Sequence, residues 1–446
     1  MAQIGELAQS RDGACAVAGF TFICKDSRMD FPFIEKEDEE VARILAGEEV
    51  RQAEGLELIP SENYVSRAVK EAMASSLTNK YSEGYPGARY YGGQEYTDEV
   101  ERLAIDRAKQ LFGAGFANVQ PLGGANANIA AYIAFAEPGG TILGMDLSHG
   151  GHLTHGHPVT FAAKVWRFVR YGMKDVETGE IDYDALLETA KRERPRIILA
   201  GFSAYPRELD WGRIVGIAKE VGATAVADVA HIAGLIAGGA AKNPFDYGFD
   251  VMTSTTHKTL RGPRGGLIVT RESAELAKKI DKAVFPGLQG GPHIHQIAAK
   301  AVAFGEALRP SFKTYAKQVV ENAKAMAEVF KSGGVRLIAG GTDNHLILAD
   351  VFGSLGVSGA EAEKRLDEAG ITLNKNVIAD DARKPMDPSG IRFGTPALTT
   401  RGFSAEDCEK VATLMLQVLQ TPASVPEVRG AIRALALSHP IPESFV

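Results

Sequence analysis

Between about residues 58 and 305, short apolar runs rich in β-branched residues alternate with stretches of helical period. The apolar runs read ANVQ, TILGMDL, RIILAG, ATAVADV, DVMTST and GGLIVT. This alternation predicts a mostly parallel sheet covered by helices, because parallel neighbours need long crossovers that are usually helical. We therefore expect an α/β fold whose large domain spans residues 58–305.

The pattern changes on both sides of this region. Residues 34–53 are rich in charge and keep a helical period, which predicts an amphipathic arm lying on a partner surface. We assign residues 1–57 to this N-terminal arm. Toward the C-terminus, alanine-rich helices predicted at 297–308 and 314–332 lead to further strand and helix patterns. These patterns predict a smaller α/β domain over residues 306–446.

Composition narrows the class of protein. The chain has 446 residues, of which 45% are hydrophobic, and its 48 glycines suit an enzyme with many tight turns. Its net charge of -7 argues against a nucleic-acid partner, since phosphate backbones need a basic face. Three separated cysteines, Cys15, Cys24 and Cys408, cannot build a disulfide framework. They favour a reducing, cytoplasmic location.

No apolar run approaches the roughly 20 residues that a membrane helix needs, so we expect no membrane association. The segment GACAVAGFTFIC at 13–24 has the apolar core of a signal peptide. Glu6 and Asp12 spoil the basic leader, and Lys25 follows where a cleavage site should lie. We interpret residues 1–28 as a variable arm or a start-site artefact.

Lys258 and Asp228 are the residues that point most directly to chemistry. Lys258 ends the polar run STTHK after an apolar stretch, and Asp228 ends ATAVAD, the pattern of a buried strand. Pyridoxal phosphate needs both groups: a lysine that forms a Schiff base, and a carboxylate that keeps the pyridine nitrogen protonated. Taken singly, Lys258 could equally well be a solvated loop lysine, and Asp228 could equally well be a helix cap.

A glycine pair precedes the alanine-rich helix predicted within residues 118–136. Gly123, Gly124 and Ala125 would direct free backbone N–H groups and the helix dipole at one point, which suits a phosphate. The alternative is a tight turn without a ligand. Position favours the phosphate, because ligands of open α/β sheets gather beyond the carboxyl ends of strands.

The segment SHGGHLTHGH invites a metal site, because His149, His152, His155 and His157 lie close in sequence. We expect no metal, since the glycines make a loop and no cysteine or glutamate stands nearby to complete the ligands. We predict instead that one histidine of this segment stacks on a planar ring.

Two arginines, Arg264 in GPRGG and Arg392 in SGIRFGTP, could each grip a substrate carboxylate with two parallel hydrogen bonds. The alternative for each is a surface ion pair. Arg392 lies between the apolar residues Ile391 and Phe393, which makes simple exposure the weaker reading.

Residues 77–96 form a glycine-rich loop that contains Tyr81, Glu83, Tyr90 and Tyr91. Aromatic loops of this density usually line a binding site. Glu83 is a candidate proton-transfer group.

From about residue 34 to the C-terminus, the chain resembles the serine hydroxymethyltransferases, which are fold-type-I pyridoxal phosphate enzymes. The resemblance is specific and rests on LELIPSENYVS (56–66), NKYSEGYPGARYYGG (79–93), MDLSHGGHLTHG (145–156), FSAYPRELDW (202–211), DVAHIAGL (228–235), STTHKTLRGPRGG (254–266), FPGLQGGP (285–292), GGTDNHL (340–346) and SGIRFGTPALTTRGF (389–403). It implies a large domain with a mostly parallel sheet of the seven-stranded type and a smaller C-terminal α/β domain.

The resemblance also implies roles for individual residues. Lys258 would hold the cofactor as a Schiff base, Asp228 would pair with the pyridinium nitrogen, and His152 would stack on the ring. The ring hydroxyl would be met by Ser203 and His231. The remaining predicted cofactor contacts are Gly123, Gly124, Ala125, Thr255, Gly290 and Gly291.

The amino-acid substrate would be bound by Arg392 and Arg264 with Ser61 and Tyr91. Glu83 would be the acid/base, supported by Tyr81 and His257. The predicted tetrahydrofolate contacts are Glu83, Tyr90, Leu147, Gly151, Phe285 and Asn376. In this family Tyr81, Glu83, Tyr91 and the Gly290-Gly291 turn reach the neighbouring subunit's site, which implies an obligate homodimer with shared active sites.

The departures from the family pattern are also informative. Leu122–Asn128 reads LGGANAN where His-Ser-Gly-Ser/Ala-Gln-Ala-Asn is typical, so a phosphate loses hydroxyl donors. Pro60 replaces the usual alanine before Ser61, His157 replaces serine, and residues 386–388 read MDP in place of Phe-Val-Thr. These changes either reshape the pocket to admit a methyl group on the α-carbon or are neutral drift.

The predicted activity is reversible hydroxymethyl transfer from serine to tetrahydrofolate, giving glycine and 5,10-methylenetetrahydrofolate. The alternatives within the same chemistry are transfer from α-methylserine, giving D-alanine, and a folate-independent aldolase acting on α-methylserine or threonine-like substrates. A non-catalytic dimeric binding protein and a metal hydrolase are weaker alternatives.

Overall fold

The computed structural model describes residues 16–17, 20–21 and 31–445. Cys15, Cys24, the apolar segment 13–24 as a whole and most of the predicted variable arm lie outside the described residues. Two short strands, Ala16–Val17 and Phe20–Thr21, pair antiparallel. The chain divides into a unit that ends at Arg51 and a larger unit, Gln52–Phe445. The predicted boundaries after residues 57 and 305 stay predictions.

The larger unit is built around a seven-stranded sheet. Its strands are β1 (Phe116–Asn118), β2 (Thr141–Met145), β3 (Arg167–Tyr171), β4 (Ile197–Gly201), β5 (Thr224–Asp228), β6 (Val251–Thr255) and β7 (Gly266–Thr270). Across the sheet they follow the order β1-β7-β6-β5-β4-β2-β3. Only β7 runs against its neighbours, so the predicted α/β fold with a mostly parallel sheet is confirmed.

The apolar strand sequences follow from this position. Every residue of β2, β4, β6 and β7 is buried, because helices cover both faces of the sheet. The α-helices are Pro32–Glu37, Glu39–Glu54, Arg67–Met73, Glu95–Phe112, Gly124–Phe135, Phe161–Val165, Tyr183–Glu193, Trp211–Val221, Ala233–Ala237, Ala274–Lys282, Ile294–Ala307, Pro310–Ser332, Val351–Leu355, Gly359–Glu368, Pro396–Thr400, Ala405–Gln420 and Val425–Ser438. Within residues 31–445, every helix is too short or too polar to cross a lipid bilayer.

A second, antiparallel sheet lies in the C-terminal third of the chain. It contains β8 (Arg336–Leu337), β9 (Leu346–Asp350), β10 (Asn374–Asn376) and β11 (Gly390–Gly394) in the order β8-β9-β11-β10. Its own apolar core includes Phe330, Ile347, Ile391 and Phe393. Shorter paired strands are Leu56–Glu57 with Ile371–Thr372, Gly84–Tyr85 with Ala88–Arg89, and Met173–Asp175 with Glu180–Ile181.

Candidate active site

A cavity of about 510 Å³ opens beyond the carboxyl ends of the parallel strands. Asp228 is the last residue of β5, Lys258 follows β6 by three residues, and Ser203 follows β4 by two. The expected convergence at this edge of the sheet is therefore observed. The predicted site residues that line the cavity are Ser61, Gly123, Gly124, Ala125, His152, Ser203, Asp228, His231, Thr255, His257, Lys258, Arg264 and Arg392.

Asp228 is buried, and both of its carboxylate oxygens accept hydrogen bonds. Its Oδ2 accepts from Asn128 Nδ2 at 2.8 Å and lies 3.0 Å from His155 Nε2, while its Oδ1 accepts from the Ala230 N–H at 3.1 Å. Burial alone would raise the pKa of Asp228, but the hydrogen bonds from His155 and Asn128 help to hold it well below its usual range. The group is therefore a carboxylate, available to a cationic nitrogen.

His155 is held in one tautomer. Its Nδ1 accepts the His152 N–H at 3.1 Å, so the proton of the neutral ring lies on Nε2 and is donated to Asp228. The ligand atoms of His152, His155 and Asp228 also lie within 4.8 Å of one another, as in a metal site. Both ring nitrogens of His155 already have hydrogen-bond partners, so the cluster works as a hydrogen-bonded support for the carboxylate.

Lys258 is buried beside this carboxylate. Burial lowers the pKa of Lys258 to about 8, with Asp228 acting in the opposite direction and the charges of Arg392 and Arg264 lowering it further. An amine with this pKa is unprotonated in about one molecule in ten at pH 7, far more often than an ordinary lysine, and nucleophilic attack on an aldehyde requires that form.

Arg392 reaches the cavity from β11 of the small sheet. Its Nε donates to Asn374 Oδ1 at 3.1 Å, and its Nη1 donates to the Ser203 carbonyl at 2.6 Å and to Ser203 Oγ at 3.1 Å. Burial lowers the pKa of Arg392 to about 10, so the guanidinium stays charged at neutral pH. A fixed cationic fork in a cavity is suited to a carboxylate.

His231 and His345 form a stacked, buried pair. His231 Nδ1 lies 3.2 Å from His345 Nε2, and His231 Nε2 lies 3.4 Å from Ser203 Oγ. Within the described residues His345 Nδ1 is buried without a partner. Since a buried N–H without an acceptor is rarer than a bare acceptor, the His345 proton lies on Nε2. His231 then accepts on Nδ1 and presents its Nε2–H at the cavity.

The glycine pair forms the opposite wall. Gly123 precedes the helix Gly124–Phe135 without a side-chain cap, so the first backbone N–H groups of this helix are not satisfied by a capping side chain. A Cβ on Gly124 would lie 2.7 Å from Thr255 Cγ2, which explains why glycine stands here. Free N–H groups at a helix N-terminus fit a phosphate.

These features together fit pyridoxal phosphate. The cavity offers a lysine with a lowered pKa, a carboxylate held ionised, two neutral imidazoles and the uncapped N-terminus of a helix. Burial lowers the pKa of His152 to about 4 and that of His231 well below its usual range, so both rings are neutral at pH 7.

A second group of predicted residues lies outside the cavity lining and forms its own aromatic cluster. The Tyr81 and Tyr91 ring centroids are 5.2 Å apart, and those of Tyr90 and Phe285 are 5.8 Å apart. The Gly290-Gly291 turn packs against the same loop: a Cβ on Gly291 would lie 3.4 Å from Tyr81, and one on Gly290 would lie 3.6 Å from Glu83 Oε1. Tyr81, Tyr90 and Tyr91 are exposed.

Three predicted folate contacts, Leu147, Gly151 and Asn376, are also absent from the cavity lining. Gly151 packs so closely on the end of β2 that a Cβ would lie 2.2 Å from the Met145 carbonyl oxygen. Asn376 donates to the Val377 carbonyl at 2.6 Å. The neighbouring Asn374, rather than Asn376, contacts Arg392.

Sequence reasoning missed three supporting residues, Asn128, His345 and Asn374, and it named His155 without its partner. Asn128 lies in the predicted phosphate loop and His155 in the histidine-rich segment. Both segments were therefore recognised, but the sequence does not show that these two side chains bind Asp228. No local pattern singles out His345 or Asn374, because their partners lie far away in sequence.

Among the departures from the family pattern, Leu122–Ala125 line the cavity. Pro60 packs on β11, where its Cβ lies 3.0 Å from the position of a Cβ on Gly394. Met386 is 79% exposed, and Asp387 pairs with Arg383. The 386–388 segment is thus absent from the cavity lining.

A model of the family described as serine hydroxymethyltransferase matches residues 34–415. This family consists of pyridoxal-phosphate-dependent transferases of fold type I that work in one-carbon metabolism and typically use tetrahydrofolate. The predicted fold class and the prediction of an enzyme are therefore confirmed. Because the match spans most of the chain, the protein belongs to the serine hydroxymethyltransferase family.

Proposed function

We propose that the protein transfers a hydroxymethyl group reversibly between serine and tetrahydrofolate, giving glycine and 5,10-methylenetetrahydrofolate. The observation that carries this proposal is the arrangement of Lys258, Asp228 and Arg392 around one cavity, which supplies an amine, a carboxylate and a carboxylate-binding fork. Pyridoxal phosphate, when bound, accepts the electron pair released as the Cα–Cβ bond breaks.

The chain's own groups perform the remaining tasks. Lys258 supplies the unprotonated amine, and Asp228 holds a proton on the pyridine nitrogen through its charge. Arg392, whose fork is held in place by Ser203 and Asn374, orients the amino acid by its carboxylate. His231, with its Nε2 beside Ser203 Oγ, would donate the Nε2–H to the ring oxygen of the bound cofactor. His152, neutral at pH 7, offers its ring face to the cofactor.

We also propose a homodimer with shared active sites. Tyr81, Glu83 and Tyr91, with the Gly290-Gly291 turn, form a cluster outside the cavity that contains Lys258 in the same chain. The exposed tyrosines of this loop suit insertion into a partner. In that arrangement Glu83 of one subunit moves protons for the site of the other, with Tyr81 in support. The folate contacts at Tyr90, Leu147, Gly151, Phe285 and Asn376 stay part of this proposal.

Serine is favoured over α-methylserine by the position of the departures. Leu122–Ala125 lie at the helix N-terminus where a phosphate fits, and Met386 is exposed. A cytoplasmic location is proposed on the cysteine pattern alone; Cys408 is buried and free.

Product analysis tests the proposed function. The purified protein is incubated with L-serine or α-methyl-L-serine, each with and without tetrahydrofolate. Glycine from serine only with folate is expected. Alanine from α-methylserine would overturn the choice of substrate, and glycine formation without folate would overturn the proposed acceptor.

The Lys258→Ala variant tests the Schiff base. Turnover should be abolished and the cofactor should be retained only loosely, because the covalent attachment is lost. Lys278→Ala, an exposed lysine of the helix Ala274–Lys282, is the matched control. Normal turnover in Lys258→Ala would overturn the assignment of Lys258.

A further inference from the structure

Lys300 is a buried cation outside the lining of the active-site cavity. It lies on the helix Ile294–Ala307 and is 2% exposed. Its Nζ donates three hydrogen bonds to backbone carbonyl oxygens, those of Val119 at 2.6 Å, Gly266 at 2.8 Å and Pro121 at 3.1 Å. An ammonium has three donors, so the group is fully satisfied without a carboxylate partner.

All three carbonyls belong to the backbone that leads into the glycine pair or lies against it. Val119 and Pro121 connect β1 to Gly123, and a Cβ on Gly266 would lie 2.4 Å from the Gly123 carbonyl oxygen. The side chain of Lys300 passes so close to Gly265 that a Cβ there would lie 2.4 Å from Lys300 Cε. The lysine is therefore packed directly beneath the proposed phosphate cradle.

A second side chain completes the support of this segment. Gln289 Nε2 donates to the Gln120 carbonyl at 3.1 Å, and Gln289 Oε1 accepts the Leu122 N–H at 3.0 Å. Between Val119 and Leu122, the carbonyls of residues 119, 120 and 121 and the N–H of Leu122 thus all bind Lys300 or Gln289, and the Pro121 carbonyl also accepts the Gly266 N–H at 2.9 Å. The loop has no internal hydroxyl side chain that could do this.

We propose that Lys300 is the positioning residue of the phosphate site, and that its three hydrogen bonds hold residues 119–123 so that the N–H groups of the following helix end face the anion. Its positive charge adds attraction for the dianion from the protein side. This inference rests on the proposed function, because it assumes that the ligand at the helix end is the cofactor's phosphate.

Burial lowers the pKa of Lys300 to about 7, with the charge of Glu101 acting in the opposite direction. A phosphate bound nearby favours the protonated form, so cofactor binding and protonation of Lys300 support each other. Loss of the cation should therefore weaken the binding of a phosphorylated ligand selectively.

The test compares two aldehydes that differ only in the phosphate. Dissociation constants of pyridoxal 5′-phosphate and of pyridoxal are measured for the apoenzyme by quenching of protein fluorescence, with Lys300→Met as the variant and Lys278→Met as the control. Lys300→Met should weaken pyridoxal phosphate by about tenfold to hundredfold, as expected for lost charge-assisted hydrogen bonds, and leave pyridoxal within about twofold.

Gln289→Leu is the second variant, because a buried lysine can be needed for folding. Gln289 is only half-buried, and its loss should give a smaller but equally phosphate-selective weakening. Equal weakening of both ligands, or no weakening, in variants whose melting temperature shows a folded apoenzyme would overturn the inference. Failure of the wild-type protein to bind either aldehyde would instead overturn the proposed function.

Discussion

At the scale of single residues, the active-site histidines His231 and His345 are buried in their neutral form. His345 is fully buried and His231 nearly so, and both pack near the cations Lys258 and Arg392. Burial lowers the pKa of His345 to about 3, with the charges of Lys258 and Arg392 lowering it further. The neutral state fits their function, because a neutral His345 sets which nitrogen of His231 carries the proton.

The same property predicts sensitivity to acid. A histidine whose folded pKa lies below its unfolded value of about 6.5 binds more protons when unfolded. Its contribution to stability is therefore fully present above pH 6.5 and is lost as the pH falls from 6.5 toward 3. The loss should amount to at most about 1.4 kcal/mol per pH unit for each such histidine.

Urea unfolding of the apoenzyme at pH 7 and pH 5 measures this loss. His345→Gln should show a smaller fall in unfolding free energy between the two pH values than wild type, whatever its absolute stability. An exposed-histidine control, His293→Gln, should keep the wild-type fall. An unchanged fall in His345→Gln would contradict the prediction.

At the scale of elements, the helix Gly124–Phe135 packs closely on strand β6 where Gly124 faces Thr255. The Cβ that Gly124 lacks would lie 2.7 Å from Thr255 Cγ2. This contact brings the N–H groups of the helix end to the strand that precedes Lys258. The absence of a Cβ at Gly124 therefore allows the helix end to approach the strand this closely.

Gly124→Ala should destabilise the protein by about 1–3 kcal/mol, because the added methyl cannot fit without a backbone or side-chain shift. Cofactor affinity should fall with it. Thr255→Ser removes the opposing methyl, so the double variant should recover most of both losses. A double-mutant cycle tests this: denaturant midpoints and cofactor affinities are measured for the two single variants and for the double variant. Additive losses in the double variant would show that this contact is not the cause.

The elements that carried a continuous local signal could be predicted from the sequence. Strands β2, β4 and β6 are buried on both faces, so their apolar runs stand out in the chain. Asp228 and Lys258 followed from their places at strand ends. The pairing of His231 with His345 spans 114 residues, and nothing local encodes which histidine of a long chain will face another. The metal-like cluster likewise needed the hydrogen bonds of His155 before its use was clear.

At the scale of the whole molecule, the predicted site residues fall into two separate groups. One group surrounds Lys258, and the other surrounds Tyr81 and the Gly290-Gly291 turn. A two-fold symmetric pair of chains would use the same contact twice and so complete two sites at once. Activity would then require two chains even though each carries every needed residue.

Mixing two inactive variants tests this arrangement. Lys258→Ala and Glu83→Gln are denatured together and refolded, so that hybrid pairs form. With shared sites, each hybrid contains one site with both residues intact, and a random mixture should recover about one quarter of wild-type activity. Each variant refolded alone is the control. No recovery, with hybrids demonstrated by differential tagging, would mean that Glu83 serves its own chain's site.

The contacts of Arg392 with Ser203 join residues that are 189 positions apart in the chain. One partner follows a strand of the parallel sheet and the other lies within the antiparallel sheet, so both sheets must exist before this contact can form. Ring closures of that length slow folding and are completed late. Carboxylate binding by Arg392 would consequently be among the last properties to return in a refolding sample, and a nascent chain would lack it until residue 392 had left the ribosome.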